Sequence, residues 1–149
     1  MPYIKIMKRR YRKAVFVVVY RNEKGKRKYL VLHRKLHWKG WEFPKGGMKH
    51  ENILHGVKRE LKEETGCNAL KIIRYSEHGK YKYDKKLADR RNLLGQTYNL
   101  FSAEISCKKI RLDKKEHSGY RWLKFNQALK ILTWQNQKKC LRIVEKVLK

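Results

Sequence analysis

"GGMKHENILHGVKRELKEETG", Gly46 to Gly66, is the stretch that decides how this chain is read. It holds Glu51, Glu60, Glu63 and Glu64, four of only thirteen acidic residues in a chain with forty Lys and Arg. Its periodicity predicts a helix from about Asn52 to Thr65, stopped by Gly66 as the C′ residue. On a wheel of about 100° per residue, with Glu60 at the origin, Glu64 falls at about 40° and Glu63 at about 300°. The three carboxylates share one face. Ile53, Leu54, Val57 and Leu61 fill the sector that contains Glu64, while His55, Lys58, Arg59 and Lys62 take the other side.

Three local rules are broken together. Glu60 and Glu64 are like charges at i, i+4, worth a few tenths of a kcal/mol against an isolated helix. Glu63 and Glu64 stand in the last turn, where the helix dipole disfavours anions by roughly 0.3–1 kcal/mol each. Glu64 points among apolar residues, where an unpaired carboxylate is costly. A hard divalent cation resolves all three, because Mg²⁺ takes oxygen ligands and shares them with phosphates. The competing reading is a salt-bridged surface helix in which Arg59 reaches Glu63 at i+4.

On either side of this helix the chain alternates strand and loop. "KAVFVVVY" (Lys13–Tyr20) is an almost continuous apolar strand, of the kind buried on both faces. A turn at 22–26 leads to a second strand, Arg27–Lys35, and the two form a hairpin. Leu36–Gly47 is an aromatic, glycine-rich loop with a short extended piece. Leu70–Tyr83, Gly95–Ile105 and Gly119–Phe125 are further strands, with a charged loop over 82–92. Helices follow at about 126–133 and 136–148, the second with Asn136 as its N-cap. This order predicts an α/β (α+β) fold, an α/β/α sandwich around a mixed central sheet.

At 149 residues and 41% hydrophobic content the chain is expected to be one domain, 1–149, with 1–11 a flexible basic arm. The net charge of +27 points to polyanions such as nucleotides, RNA or inositol phosphates. It equally fits a lysine-rich chain with solvated faces. Cys67, Cys107 and Cys140 are far apart and odd in number, with no CxxC pair. Neither a zinc site nor a disulfide framework is expected, and a reduced, cytoplasmic protein fits. No apolar run reaches the roughly 18 residues of a membrane span.

The Gly46–Cys67 stretch resembles the Nudix box, G-x5-E-x7-R-E-U-x-E-E-x-G-U, with U a bulky apolar residue. Arg59, Glu60, Leu61, Glu63, Glu64 and Gly66 match in order, and Glu51 stands eight residues before Arg59. Gly46 lies five residues before Glu51 rather than six, and Cys67 fills the last apolar position. The resemblance implies a Nudix fold and hydrolysis of a diphosphate linked to another moiety. It also implies that Glu60, Glu63 and Glu64, with Gly46, hold Mg²⁺, for which Mn²⁺ can substitute. Arg59 would orient a carboxylate of the box, with Glu51 its partner.

The likeness extends to "WEFPKGG" (Trp41–Gly47) and "EHSGYRWLKFNQALKI" (Glu116–Ile131), which resemble the asymmetrical diadenosine tetraphosphate hydrolases. It implies Lys45 and His117 on phosphate, Trp41 at the cleft, and an aromatic on the base. For that aromatic Tyr83 is the first candidate, Tyr81 its neighbour and Tyr98 a weaker one, against ordinary packing with an exposed hydroxyl. Trp122 reads as core. Glu116 is a further metal ligand or base, or a loop acid without a role. The leading expectation is a dinucleoside polyphosphate hydrolase. Lys85, Lys86, Arg90 and Arg91 form a basic loop that keeps RNA contact open. The alternatives are therefore an RNA 5′-end pyrophosphohydrolase and a basic RNA-binding module with little catalysis.

Overall fold

The computed structural model describes residues 10–83, 93–107 and 109–148. The elements in chain order are strands β1 (Arg10–Glu23), β2 (Lys26–Arg34), β3 (Gly40–Glu42) and β4 (Lys45–Gly47), helix α1 (Ile53–Thr65), strands β5 (Lys71–Lys82), β6 (Leu93–Glu104) and β7 (His117–Leu123), and helices α2 (Phe125–Ile131) and α3 (Gln135–Leu148). The strands form one mixed sheet, ordered β3-β2-β1-β6-β5, with β4 on β1 and β7 on β2. The β1–β6 pair is parallel and the others are antiparallel.

The two-residue period of β1 builds two cores. Phe16, Val18 and Tyr20 pack with Tyr29, Leu100, Leu132 and Leu141 on the α2–α3 side. Val15, Val17 and Val19 pack with Leu30, Val57, Leu61 and Phe101 on the α1 side. With both faces covered, the expected sandwich is the architecture found, and the apolar run of β1 is explained. The strand starts earlier than expected: Arg10 and Tyr11 of the proposed flexible arm belong to it, and the rest of that arm lies outside the described residues.

Helix α1 is closed at both ends as its sequence implies. Asn52 caps it by accepting from the His55 amide, and Gly66, at φ 76°, donates back to the Lys62 carbonyl. The Asn136 cap is not found. Helix α3 already includes Gln135, and the Trp134 carbonyl accepts from the Gln137 and Lys138 amides. The cysteine expectation also fails: Cys67 and Cys107 form a disulfide, with Cα atoms 6.1 Å apart across 40 residues. The exits of α1 and β6 converge there, a proximity that sequence spacing does not report.

Candidate active site

A cleft of ≈ 880 Å³ brings most of the expected residues together. Glu60, Glu63 and Glu64 face it from α1, and Glu116 from the loop before β7. Aromatic side chains enter from elsewhere: Trp38 ahead of β3, Tyr81 and Tyr83 at the end of β5, and Trp134 between α2 and α3. Arg12, Arg34, Lys45 and Lys49 bring positive charge to the same space.

The carboxylates are held in two groups. Arg59 gathers the first. Its Nη2 donates to Glu51 at 2.7 Å, and its Nη1 donates to Glu60 at 2.8 Å and to Glu63 at 3.2 Å. Hydrogen bonds to Glu51 come first among the causes that raise the Arg59 pKa, and the same bonds lower that of Glu51. Burial raises the Glu60 pKa against the pull of Arg59. Glu63 is half exposed. Gly46 is needed for close approach, since a Cβ there would overlap the Glu60 carboxylate.

Glu64 belongs to the second group. It is 3% exposed, as the wheel implied. Its Oε2 lies 3.1 Å from His117 Nδ1, within ion-pair range but off the line of a hydrogen bond, so both atoms are buried without a hydrogen-bond partner. His117 Nε2 lies 2.8 Å from Glu42 Oε2. Burial raises the Glu64 pKa to about 8, against the opposing effect of His117. Burial alone would lower the pKa of His117, but its carboxylate contacts outweigh that and push it up to about 9. Burial likewise works against ionised Glu42, and Lys45, His117 and Arg34 together hold its pKa down.

These positions correct three expectations. His117 is 1% exposed, wedged between carboxylates, and is not available to a phosphate. Trp41 turns onto the α2–α3 core, with Arg121 5.0 Å over its ring, and does not line the cleft. Tyr98 is also core, stacked on Phe16 at 4.1 Å, and Trp122 packs on the α1 side as expected. Lys45 lines the cleft with its ammonium 3.3 Å from Glu42. Tyr81 and Tyr83 meet edge to face at 6.2 Å, and Tyr83 donates to Gln96. The basic loop residues Lys85, Lys86, Arg90 and Arg91 lie outside the described residues.

Sequence reasoning missed Glu42, Trp38 and Trp134. A signal for Glu42 existed: it stands between Trp41 and Phe43, both on the α2–α3 core, so strand alternation turns it the other way.

The donor set fits a cation. Among the described residues, Glu64, Glu116 and His117 are the group whose ligating atoms all lie within 4.8 Å of one another. The unpartnered Glu64 Oε2 is one of those buried donors. Glu60 and Glu63 do not complete a cluster with Glu64 in this state, because both are drawn to Arg59.

A cleft with clustered carboxylates, convergent cations and aromatic surfaces suits a phosphoric anhydride, and the relatives of the chain are hydrolases of that class. The NUDIX domain family matches residues 10–142, and the chain belongs to it as a Nudix hydrolase. An RNA pyrophosphohydrolase of a Nitratiruptor species is 31% identical over 134 residues, covering 85% of this chain and 86% of that protein. An 8-oxo-dGTP diphosphatase of Buchnera aphidicola subsp. Acyrthosiphon pisum is 44% identical over 63 residues, 42% of this chain and 50% of that one. The structure of a C. elegans Ap4A hydrolase binary complex superimposes with TM-score 0.71 at 22% identity, covering 91% of this chain and 97% of that one. That last likeness concerns the fold alone.

Proposed function

We propose that this Nudix hydrolase is a Mg²⁺-dependent pyrophosphohydrolase of RNA 5′ ends, and that its cleft binds the terminal polyphosphate together with the first bases. The observation that carries the reading is the pairing, in one cleft, of the α1 carboxylates with the aromatic surfaces of Trp38, Tyr81, Tyr83 and Trp134. Four carboxylates facing a polyphosphate repel it unless a cation stands between them. Glu64 and Glu116 would hold that cation, with Glu60 and Glu63 as further ligands carried by Arg59 and Mn²⁺ as a substitute. Such an ion would supply Lewis-acid polarisation of a phosphoryl oxygen and a lowered pKa for the attacking water.

The chain's own residues do the rest. Arg59 holds Glu60 and Glu63 of α1 together with Glu51 from the segment before it. Arg12, Lys45 and Lys49 offset the charge of the phosphates entering the cleft. Trp134, 40% exposed, offers an open ring for a base to stack on. A net charge of +27 favours a long polyanion over a dinucleotide, and the RNA pyrophosphohydrolase relative spans most of this chain.

The second reading is cleavage of dinucleoside polyphosphates. It is favoured by the two separate aromatic pairs, Trp38–Trp134 at 5.2 Å and Tyr81–Tyr83 at 6.2 Å, one for each base. Parallel turnover assays in Mg²⁺ with 5′-triphosphorylated RNA and diadenosine tetraphosphate, with Glu64→Gln as the blank, separate the two. Faster release of pyrophosphate from RNA is expected, and faster asymmetric cleavage of the dinucleotide would reverse the order. Trp134→Ala is expected to raise KM for the preferred substrate by about tenfold, since stacking contributes roughly 1–3 kcal/mol per base, with little change in kcat.

A cytoplasmic location goes with this reading. No helix among the described residues is long and apolar enough to cross a membrane. The Cys67–Cys107 bond is the feature against it, because reducing compartments rarely keep disulfides. The thiol content of protein trapped directly from cells decides the point.

A further inference from the structure

Glu42, His117 and Glu64 form a buried row of ionisable groups, at 0%, 1% and 3% exposure. They come from three elements: Glu42 ends β3, His117 begins β7, and Glu64 is the penultimate residue of α1. Strand β2 sets the first two, pairing Leu32 with Glu42 on one side and Arg34 with His117 on the other. Glu42 is itself anchored. Arg34 Nη1 donates to its Oε2 at 3.3 Å, and Lys45 Nζ lies 3.3 Å from its Oε1. The imidazole therefore rests on a fixed carboxylate and meets Glu64 through its other nitrogen.

Fold stability alone is a poor reason for this arrangement. Burying ions costs several kcal/mol each, and apolar side chains of similar volume do as well or better. The surroundings are already apolar, with Leu32, Val57 and Leu61 fully buried nearby on the α1 side. Neither Glu42 nor His117 lines the cleft, whereas Glu64 does. Glu64 is thus the one member of the row that reaches the cleft, with His117 directly behind it and Glu42 behind His117.

We propose that Glu42 and His117 are positioning residues for Glu64: Glu42 fixes the imidazole, and the imidazole holds the Glu64 carboxylate in place for the divalent cation. This rests on the reading that Glu64 holds a cation. A carboxylate–imidazole pair behind a ligand sets its direction, and losing such a partner typically costs 10–100-fold in metal affinity.

The test uses the full chain and four variants. Glu42→Gln keeps the shape and removes the charge. His117→Gln places an amide near the Nε2 position and abandons Glu64, whereas His117→Asn places one near the Nδ1 position and abandons Glu42. Glu64→Gln reports on the cation reading itself. Mn²⁺ affinity is measured by electron paramagnetic resonance without substrate, alongside kcat, KM and the melting temperature in chelator. We expect His117→Gln to weaken Mn²⁺ binding by roughly 10–100-fold and lower kcat, with KM within about twofold. Glu42→Gln should weaken Mn²⁺ binding by about tenfold, and His117→Asn should recover part of the loss.

Melting temperatures that fall in Glu42→Gln and both His117 variants while Mn²⁺ affinity stays at the wild-type value overturn the proposal, leaving a structural role only. Equal losses in both His117 variants with Glu42→Gln unchanged also overturn it, making His117 a ligand. Wild-type Mn²⁺ affinity in Glu64→Gln instead removes the cation reading on which the proposal stands.

Discussion

The carboxylate row of α1 is held in opposite ways at its two ends. At the Arg59 end, one guanidinium gathers Glu51, Glu60 and Glu63 through well-aligned hydrogen bonds, and Glu63 is half in solvent. At the His117 end, Glu64 is buried, meets one imidazole off the hydrogen-bond line, and depends on Glu42 one layer further in. The first end is a charge pool that reaches solvent at Glu63. The second is a fixed stop. The contrast sets one buried carboxylate, braced from behind, against three that share a single guanidinium.

Replacing the fixed carboxylate should have the largest effect. Glu64→Gln is expected to lower kcat by more than 100-fold, beyond the roughly 10–100-fold cost of losing a supporting partner, with the far-UV circular dichroism unchanged. Wild-type-like turnover would remove the distinction between the two ends. Arg59→Met, which dissolves the pool, should lower kcat/KM by about 10–100-fold and make the melting temperature more dependent on Mg²⁺. Loss of turnover without that dependence would mean that Arg59 serves substrate rather than carboxylates.

Removing the divalent cation acts on both ends. At 100 times Kd a bound ion contributes about 2.7 kcal/mol, so chelation should lower the melting temperature by roughly 5–10 °C. An unchanged curve would show that the pool is neutralised by Arg59 alone.

The smallest effect is in pH. His117 and Glu64 both hold a proton more tightly folded than unfolded, with pKa values raised to about 9 and about 8. Their contribution to stability is therefore whole below their unfolded pKa values and is lost as pH rises through about 8 to 9. Glu42, Glu116 and Arg34 are the other charged groups facing this pair. Glu51, with its pKa lowered by Arg59, has the reverse sign, and its contribution fades in acid. Chelated protein should lose several degrees of melting temperature on the alkaline side, read by calorimetry, and Arg59→Met should leave that limb in place.

The same two ends measure how far the sequence could be read. The Arg59 end is local: Glu51, Glu60 and Glu63 lie within eight residues of Arg59, so helical spacing and the box motif find it. The two cores of β1 were legible for the same reason, since alternation along one strand names both faces. The His117 end depends on contacts across 75 residues of sequence between Glu42 and His117, which no local period encodes. Trp134 entered the cleft, and Trp41 left it, because a turn between two helices and the facing of a three-residue strand decide which ring is exposed. Cys67 and Cys107 escaped notice because their closeness belongs to the sheet order.

That disulfide has a topological consequence. It closes a covalent ring from the residue after Gly66 to Cys107, just past β6, and this ring contains Tyr81, Tyr83 and Gln96 from the aromatic side of the cleft. In the chain-entropy account, a ring of this size restricts the unfolded chain by about 4 kcal/mol. A single backbone cut anywhere within the ring would leave two fragments still joined through sulfur. After a cut between Cys67 and Tyr81, the carboxylate helix and the two tyrosines would separate only once a reductant had opened the bond.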